Sequence, residues 1–225
     1  MTSVETAQQI LDRLEAPRQD LRFLLERGYR RAHALRFVGE HHQLTSADRN
    51  VLERVVFARD DAESRRARLV EASALRGQEV VIDGYNVLIS TECIFDGAPL
   101  FLADDGVVRD IAARRGLRLE GPGVSKGLAV LFGRLRELGV ERVDVILDEQ
   151  VSRSGELAAL CRAELARHGI AGDAQTTARA DHALVAAGRS AVVCTSDRVI
   201  IDGVPRVFDA VRAIAEGRVL VGRAS

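Results

Sequence analysis

Glu79-Val80-Val81-Ile82-Asp83-Gly84-Tyr85-Asn86 is the stretch on which the reading of this chain turns. A β-branched apolar run that ends in an acid and a glycine predicts a buried central strand. Such a strand delivers a carboxylate to the C-terminal edge of its sheet, where open α/β folds bind their ligands. Three later segments repeat the arrangement. Val143–Leu147 ends at Asp148, and Ala191–Cys194 leads through Thr195-Ser196 to Asp197. Asp181 opens the apolar helix Ala183–Ala187. If the strands are parallel and adjacent, Asp83, Asp148, Asp181 and Asp197 share one edge. Each acid also has a plainer role, as a turn former or as a favourable charge at a helix start.

Outward from that strand, everything after Gly77 alternates strand with helix. Strands are predicted at Glu79–Ile82, Val143–Leu147, Ala174–Thr176, Ala191–Cys194 and Arg206–Phe208. Helices are predicted at Ser125–Leu138, Ser154–His168, Asp181–Ala187 and Asp209–Glu216. This alternation specifies an α/β fold, a three-layer parallel sheet. Ile94–Leu102, with Asp96-Gly97 between apolar flanks, reads as an inserted hairpin, and Asp202-Gly203 as another hairpin turn. Asp104, Asp105 and Asp110 read as a solvated turn and helix start.

Before Arg76-Gly77 the periodicity is helical. Val4, Ala7, Leu11 and Leu14 mark one helix face, and Pro17 interrupts before Leu21, Leu24 and Leu25 mark a second. Gly28 is a helix stop, a third helix spans Arg30–His41, and Thr45 with Asp48 has capping-box spacing. Val51, Leu52, Val55 and Val56 begin a long fourth helix reaching Ala72–Leu75. The expected organisation is a small all-helical domain over 1–76 followed by an α/β domain over 77–225.

Composition narrows the class. The chain has 225 residues, 47% of them apolar, enough to bury a core. A formal net charge of −1 removes the simple argument from a basic protein to nucleic acid. Lys126 is the sole lysine. Cys93, Cys161 and Cys194 are widely spaced and form no CxxC pair, so they read as reduced core thiols of a cytoplasmic protein. The N-terminus lacks a signal-peptide pattern, and no apolar stretch approaches the roughly 20 residues that cross a bilayer.

Clustered carboxylates repel one another and raise each other's pKa values, and a hard divalent cation with oxygen ligands is the usual compensation. Mg²⁺ or Mn²⁺ generates a hydroxide nucleophile and stabilises phosphoryl and leaving oxygens, the services that phosphodiester hydrolysis requires. Val81-Ile82-Asp83-Gly84-Tyr85-Asn86-Val87-Leu88 resembles the opening motif of the NYN branch of the PIN-domain nucleases. Ala180-Asp181-His182-Ala183-Leu184 and Cys194-Thr195-Ser196-Asp197-Arg198 resemble that superfamily's later acidic motifs, in order, and Ile146-Leu147-Asp148 stands where its remaining acid falls.

The resemblance covers roughly Glu79 to Phe208. It implies a PIN-like domain whose Asp83, Asp148, Asp181 and Asp197 hold one or two Mg²⁺ or Mn²⁺ ions and cut RNA. Asn86 would orient the first acid or a phosphate, and Ser196 would support the last. His182 stands where many NYN proteins have a second Asp, and Ile94–Arg118 is an insertion in the fold, so Glu156 and Asp104 rival Asp148 as the second acid. The whole chain also resembles an uncharacterised prokaryotic family that pairs a helical N-terminal region with a PIN-like domain. Homodimerisation is a family expectation.

A nuclease must hold a polyanion. Arg22, Arg27, Arg30, Arg31 and Arg36, with His33, His41 and His42, make the helical region locally positive. Arg30 and Arg31 are the expected phosphate contacts there, and Tyr29 either stacks on a base or anchors the core. Lys126, after Gly121–Ser125 at a helix start, is a further candidate. The expected partner is single-stranded RNA, with no membrane. Two other classes stay open: a non-catalytic nucleic-acid-binding protein docking through the Thr45-capped helix pair, and, behind it, an Asp-based phosphatase. The spacing offers no P-loop, no GxGxxG and no catalytic triad.

Overall fold

The computed structural model describes residues 5–111, 122–215 and 221–223. Val4, Gly121 and Glu216, and residues 112–118 of the expected insertion, lie outside the described residues. The elements run α1 (Ala7–Arg13), α2 (Glu15–Glu26), α3 (Arg31–His41), α4 (Ser46–Val55), α5 (Arg59–Arg66) and a 3₁₀ turn at Ala72–Leu75. Then come β1 (Glu79–Asp83), α6 (Gly84–Phe95), β2 (Leu100–Leu102), β3 (Val108–Asp110), α7 (Pro122–Glu137), β4 (Arg142–Asp148) and α8 (Ser154–His168). The rest are β5 (Ala171–Thr177), α9 (Ala180–Ala187), β6 (Val192–Cys194), α10 (Arg198–Gly203), α11 (Ala210–Ala215) and β7 (Val221–Arg223).

The fold is α/β, preceded by a helical region, and it divides into two compact units. The second unit, from Arg68, is built on a parallel sheet of order β5-β4-β1-β6. Val80, Val81, Ile82 and Asp83 are all buried, so β1 is covered on both faces as a central strand of a parallel sheet must be. Gly84 lets α6 begin directly after Asp83: a Cβ there would collide with the Leu147 side chain of β4. The predicted strand at Arg206–Phe208 is a bridge at Val207, which pairs with Val193 on one side and Leu69 on the other. The three cysteines are buried and free, and burial pushes the Cys161 thiol up to about 12. Among the described residues, no helix is long and apolar enough to cross a membrane.

The first unit differs from an all-helical 1–76 domain. It takes in Gly97–Ile111 and Val221–Arg223 as well as the helices up to Ala67, so the chain enters it more than once. Its strands form a sheet of order β3-β2-β7, with β2 and β3 antiparallel. The hairpin turn is therefore at Ala103–Val107, not at Asp96-Gly97, which follows the end of α6. Asp202-Gly203 closes a helix, α10, rather than a hairpin.

Pro17 does not interrupt a helix. It sits in the first turn of α2, where its missing N–H has no intrahelical partner to lose. Gly28 stops α2 at φ 78°, and Thr45 with Asp48 forms the reciprocal capping box on α4. The long fourth helix breaks at Val56–Ala58, because the Phe57 N–H leaves the helical ladder and donates to Asp104 Oδ2 at 2.9 Å.

Asp105 explains why the hairpin belongs with the helices. Its carboxylate is fully buried and takes two bonds from Arg109, at 2.6 and 2.8 Å, with Arg65 at 3.7 Å. The guanidinium groups of Arg31, Arg65 and Arg109 lie 4.8, 4.6 and 5.1 Å from the centre of the Phe57 ring. This turn is a buried ionic node, not a solvated one. Removing Asp105 leaves buried cations without their counter-charge, so Asp105→Ala is expected to lower the unfolding free energy by about 3–5 kcal/mol. The exposed substitution Glu63→Ala should change it by less than about 0.5 kcal/mol. Urea titrations of both variants check the contrast, and equal midpoints would refute it.

Candidate active site

β1, β4 and β6 are neighbours and parallel, so their C-terminal ends share one edge. Asp83 ends β1 and pairs with Ile146, which sets Asp148 two residues further along β4. Asp197 follows β6 by a short turn and caps α10, accepting the Val199 N–H at 2.6 Å. Asp181 lies in the first turn of α9, a helix packed on β1, β4 and β5. The chain leaves β1 toward β4 and β5 and returns to β6 on the other side. The crevice between β1 and β6 is thus the topological switch point, the usual ligand position in such sheets.

Asp83 and the turn that carries Asp197 are joined there. Asp83 is 7% exposed. The Thr195 hydroxyl donates to Asp83 Oδ2 at 2.7 Å, and Asn86 Nδ2 donates to the same oxygen at 2.6 Å. Thr195 Oγ1 also accepts the Asp197 N–H at 3.0 Å. One hydroxyl therefore joins the end of β1 to the turn that carries Asp197. Burial raises the Asp83 carboxyl to about 6, against the lowering effect of the Thr195 and Asn86 bonds, and the charge of Asp197 adds to the rise.

The remaining positions are looser. Asp148 is half-buried, accepts the Gln150 N–H at 2.9 Å, and faces Tyr85. Burial, then the Asp148 charge, raises the Tyr85 hydroxyl above its ordinary value. Asp181 and His182 are exposed. Among the described residues, the four aspartates do not form a set with three carboxylate oxygens within 4.8 Å of one another. They share an edge rather than a tight cage.

Of the rival second acids, Glu156 is exposed and paired with Arg153 at 2.8 Å. Asp104 is satisfied inside the first unit by Arg22 at 2.9 Å and by the Phe57 N–H. Ser196 is buried, and Thr195 accepts the Asp197 N–H. Sequence reasoning passed over Thr195, although a Thr two residues before an Asp is a recognisable side-chain turn signal.

Expected substrate contacts are also redistributed. Lys126 is exposed in α7. Arg31, half-buried, donates to the carbonyls of Glu53 at 3.2 Å and Val56 at 2.7 Å, so its guanidinium helps close α4. Arg30 stays exposed. Tyr29 is 57% exposed and so does not anchor the core.

Two family models match successive segments of the chain, and the second runs through Gly97–Ile111 of the first unit. Residues 72–213 match the family model described as a domain of unknown function, DUF5616, and residues 13–68 match the protein of unknown function DUF434. The chain is 31% identical over 188 residues to the uncharacterized protein MJ0935 of Methanocaldococcus jannaschii, spanning 84% of this chain and 88% of that one. No solved structure matches. The two matched segments meet between 68 and 72, beside the boundary of the compact units at Arg68. The chain belongs to the DUF5616 family, with a segment matching DUF434 ahead of that domain.

Proposed function

We propose that the protein is a PIN-like, metal-dependent ribonuclease of the cytoplasm, acting at the β1–β6 edge on single-stranded RNA. The observation that carries this reading is the Asp83–Thr195–Asp197 linkage at the switch point. A desolvated carboxylate is held there beside a second carboxylate, at a cost that a divalent cation would relieve. The donor set is all oxygen, which fits Mg²⁺ or Mn²⁺ and not a softer metal. When bound, such an ion supplies charge neutralisation, an acidified water and polarisation of a phosphoryl oxygen.

The chain's own residues do the rest. Asp83 and Asp197 would hold the ion at the crevice, with Asp148 and Asp181 as the remaining carboxylates of that edge. Asn86 and Thr195 fix the Asp83 carboxylate so that it needs no reorganisation on binding. Within the first unit, exposed Tyr29 and Arg30 have the chemistry to stack on a base and to contact a phosphate.

Purified protein is expected to cleave single-stranded RNA with Mn²⁺ or Mg²⁺, and Asp83→Asn to lower the rate by at least about a hundredfold. Undiminished cleavage by that variant would sink the assignment. RNA affinity with steep salt dependence and no turnover would favour the non-catalytic alternative.

The raised Asp83 carboxyl also predicts a pH signature. It binds a proton more tightly folded than unfolded. Its stabilising contribution is therefore complete below the ordinary value of 3.8 and is lost as pH rises through about 6. Without metal, Asp83→Asn should be more stable than the parent above pH 6, by up to about 3 kcal/mol. The advantage should vanish near pH 4. Thermal unfolding of both proteins in chelator across that range checks it, and a pH-independent difference would contradict it.

A further inference from the structure

We propose that the first unit carries a second metal site, of a different chemical class, formed by Asp20, His41 and His42. One ligand atom from each residue lies within 4.8 Å of the other two, and His42 Nε2 is 2.7 Å from Asp20 Oδ2. Ligand atoms around a tetrahedral Zn²⁺ stand about 3.3 Å apart, given bonds of about 2.0–2.1 Å. The His42–Asp20 distance lies below that value and no pair exceeds 4.8 Å, so the three ligand atoms already stand near the spacing such an ion needs. Two imidazoles and one carboxylate suit Zn²⁺ and its late first-row neighbours, not Mg²⁺. The site is therefore independent of the carboxylate edge proposed for catalysis.

The local backbone fixes where these side chains stand. α2 and α3 pack on each other through a connection that turns at Gly28; Asp20 lies in the middle of α2, and His41 and His42 end α3. α3 stops in a doubly bonded cap: the Gln43 N–H donates to Glu40 O at 3.2 Å and the Leu44 N–H to Gly39 O at 2.9 Å. Gln43 holds the left-handed position of that cap at φ 52°, where a glycine is usual. Keeping a side chain there is strained. Arg49 Nε donates to Leu44 O at 3.2 Å, and the ring of Phe37 lies parallel to His41 at 6.3 Å. The last carbonyls of α3 add the negative end of the helix dipole, which favours a cation at His41 and His42.

Three protein ligands leave the fourth position open to water or to a ligand from solution, as in zinc sites that are not purely structural. Asp20 and His41 are exposed, so an ion has a direct path in. The ion would tie the end of α3 to the middle of α2.

The experiment uses tag-free full-length protein carrying Asp83→Asn, which removes the principal acid of the carboxylate edge. Calorimetric titration with Zn²⁺ is expected to give about one equivalent per chain, unaffected by excess Mg²⁺. Co²⁺ is expected to give visible absorption bands of tetrahedral intensity. Adding His42→Ala or Asp20→Ala should weaken binding by more than about tenfold, with an unchanged far-ultraviolet circular dichroism spectrum. No uptake at micromolar Zn²⁺, or uptake that survives both substitutions, would overturn the proposal.

Discussion

A carboxylate taken out of water at the end of a central strand is the constraint around which the α/β unit is arranged. Asp83 sits where β1 runs out, covered on both faces by the layers that bury Val80, Val81 and Ile82. Left alone, its charge would be costly there. The structure offsets the cost locally: Gly84 brings α6 close enough for Asn86 to reach back, and Thr195 reaches across from β6. The offset is partial, since the carboxyl stays raised at about 6. A group kept partly dissatisfied at a topological switch point has the physical character expected of a ligand-binding acid.

The first unit solves the opposite problem. Asp105 is buried as deeply as Asp83, yet it is fully engaged by Arg109 and Arg65 around the Phe57 ring. That acid is consumed by architecture: it holds a hairpin against helices far from it in sequence. Two buried aspartates thus serve different ends. Paired cations surround one, while hydroxyl and amide donors with a like charge surround the other.

Much of the fold was legible in the residues themselves. β-branched runs such as Val143–Leu147 fit only a pleated, buried strand, and Ser154–His168 carries its own start and its glycine stop, so both were recovered almost to the residue. Thr45 with Asp48 and Gly28 were readable because capping and left-handed turns are local chemistry. Elsewhere distant partners decided. The apolar pattern of Val51–Phe57 looks continuous with helix, and only the bond from Phe57 to Asp104, 47 residues away, ends it. Likewise Asp104 and Asp105 have the composition of a solvated turn, and their burial depends on arginines elsewhere in the chain.

The candidate site shows the same division. The order of the acids along the chain is enough to put Asp83, Asp148 and Asp197 at strand ends, because a parallel strand that stops in Asp presents it at the carboxyl edge. Strand order is not written in any single strand, since it is set by which apolar faces bury one another. Only the tertiary structure makes β6 the neighbour of β1, and so makes Thr195 the link between two acids. By itself the sequence determined the strands β1, β4 and β6, the long helix α8 and the strand ends at which Asp83 and Asp148 stand. The tertiary structure decided which of them meet, because desolvation and hydrogen bonding depend on neighbours that folding alone brings together.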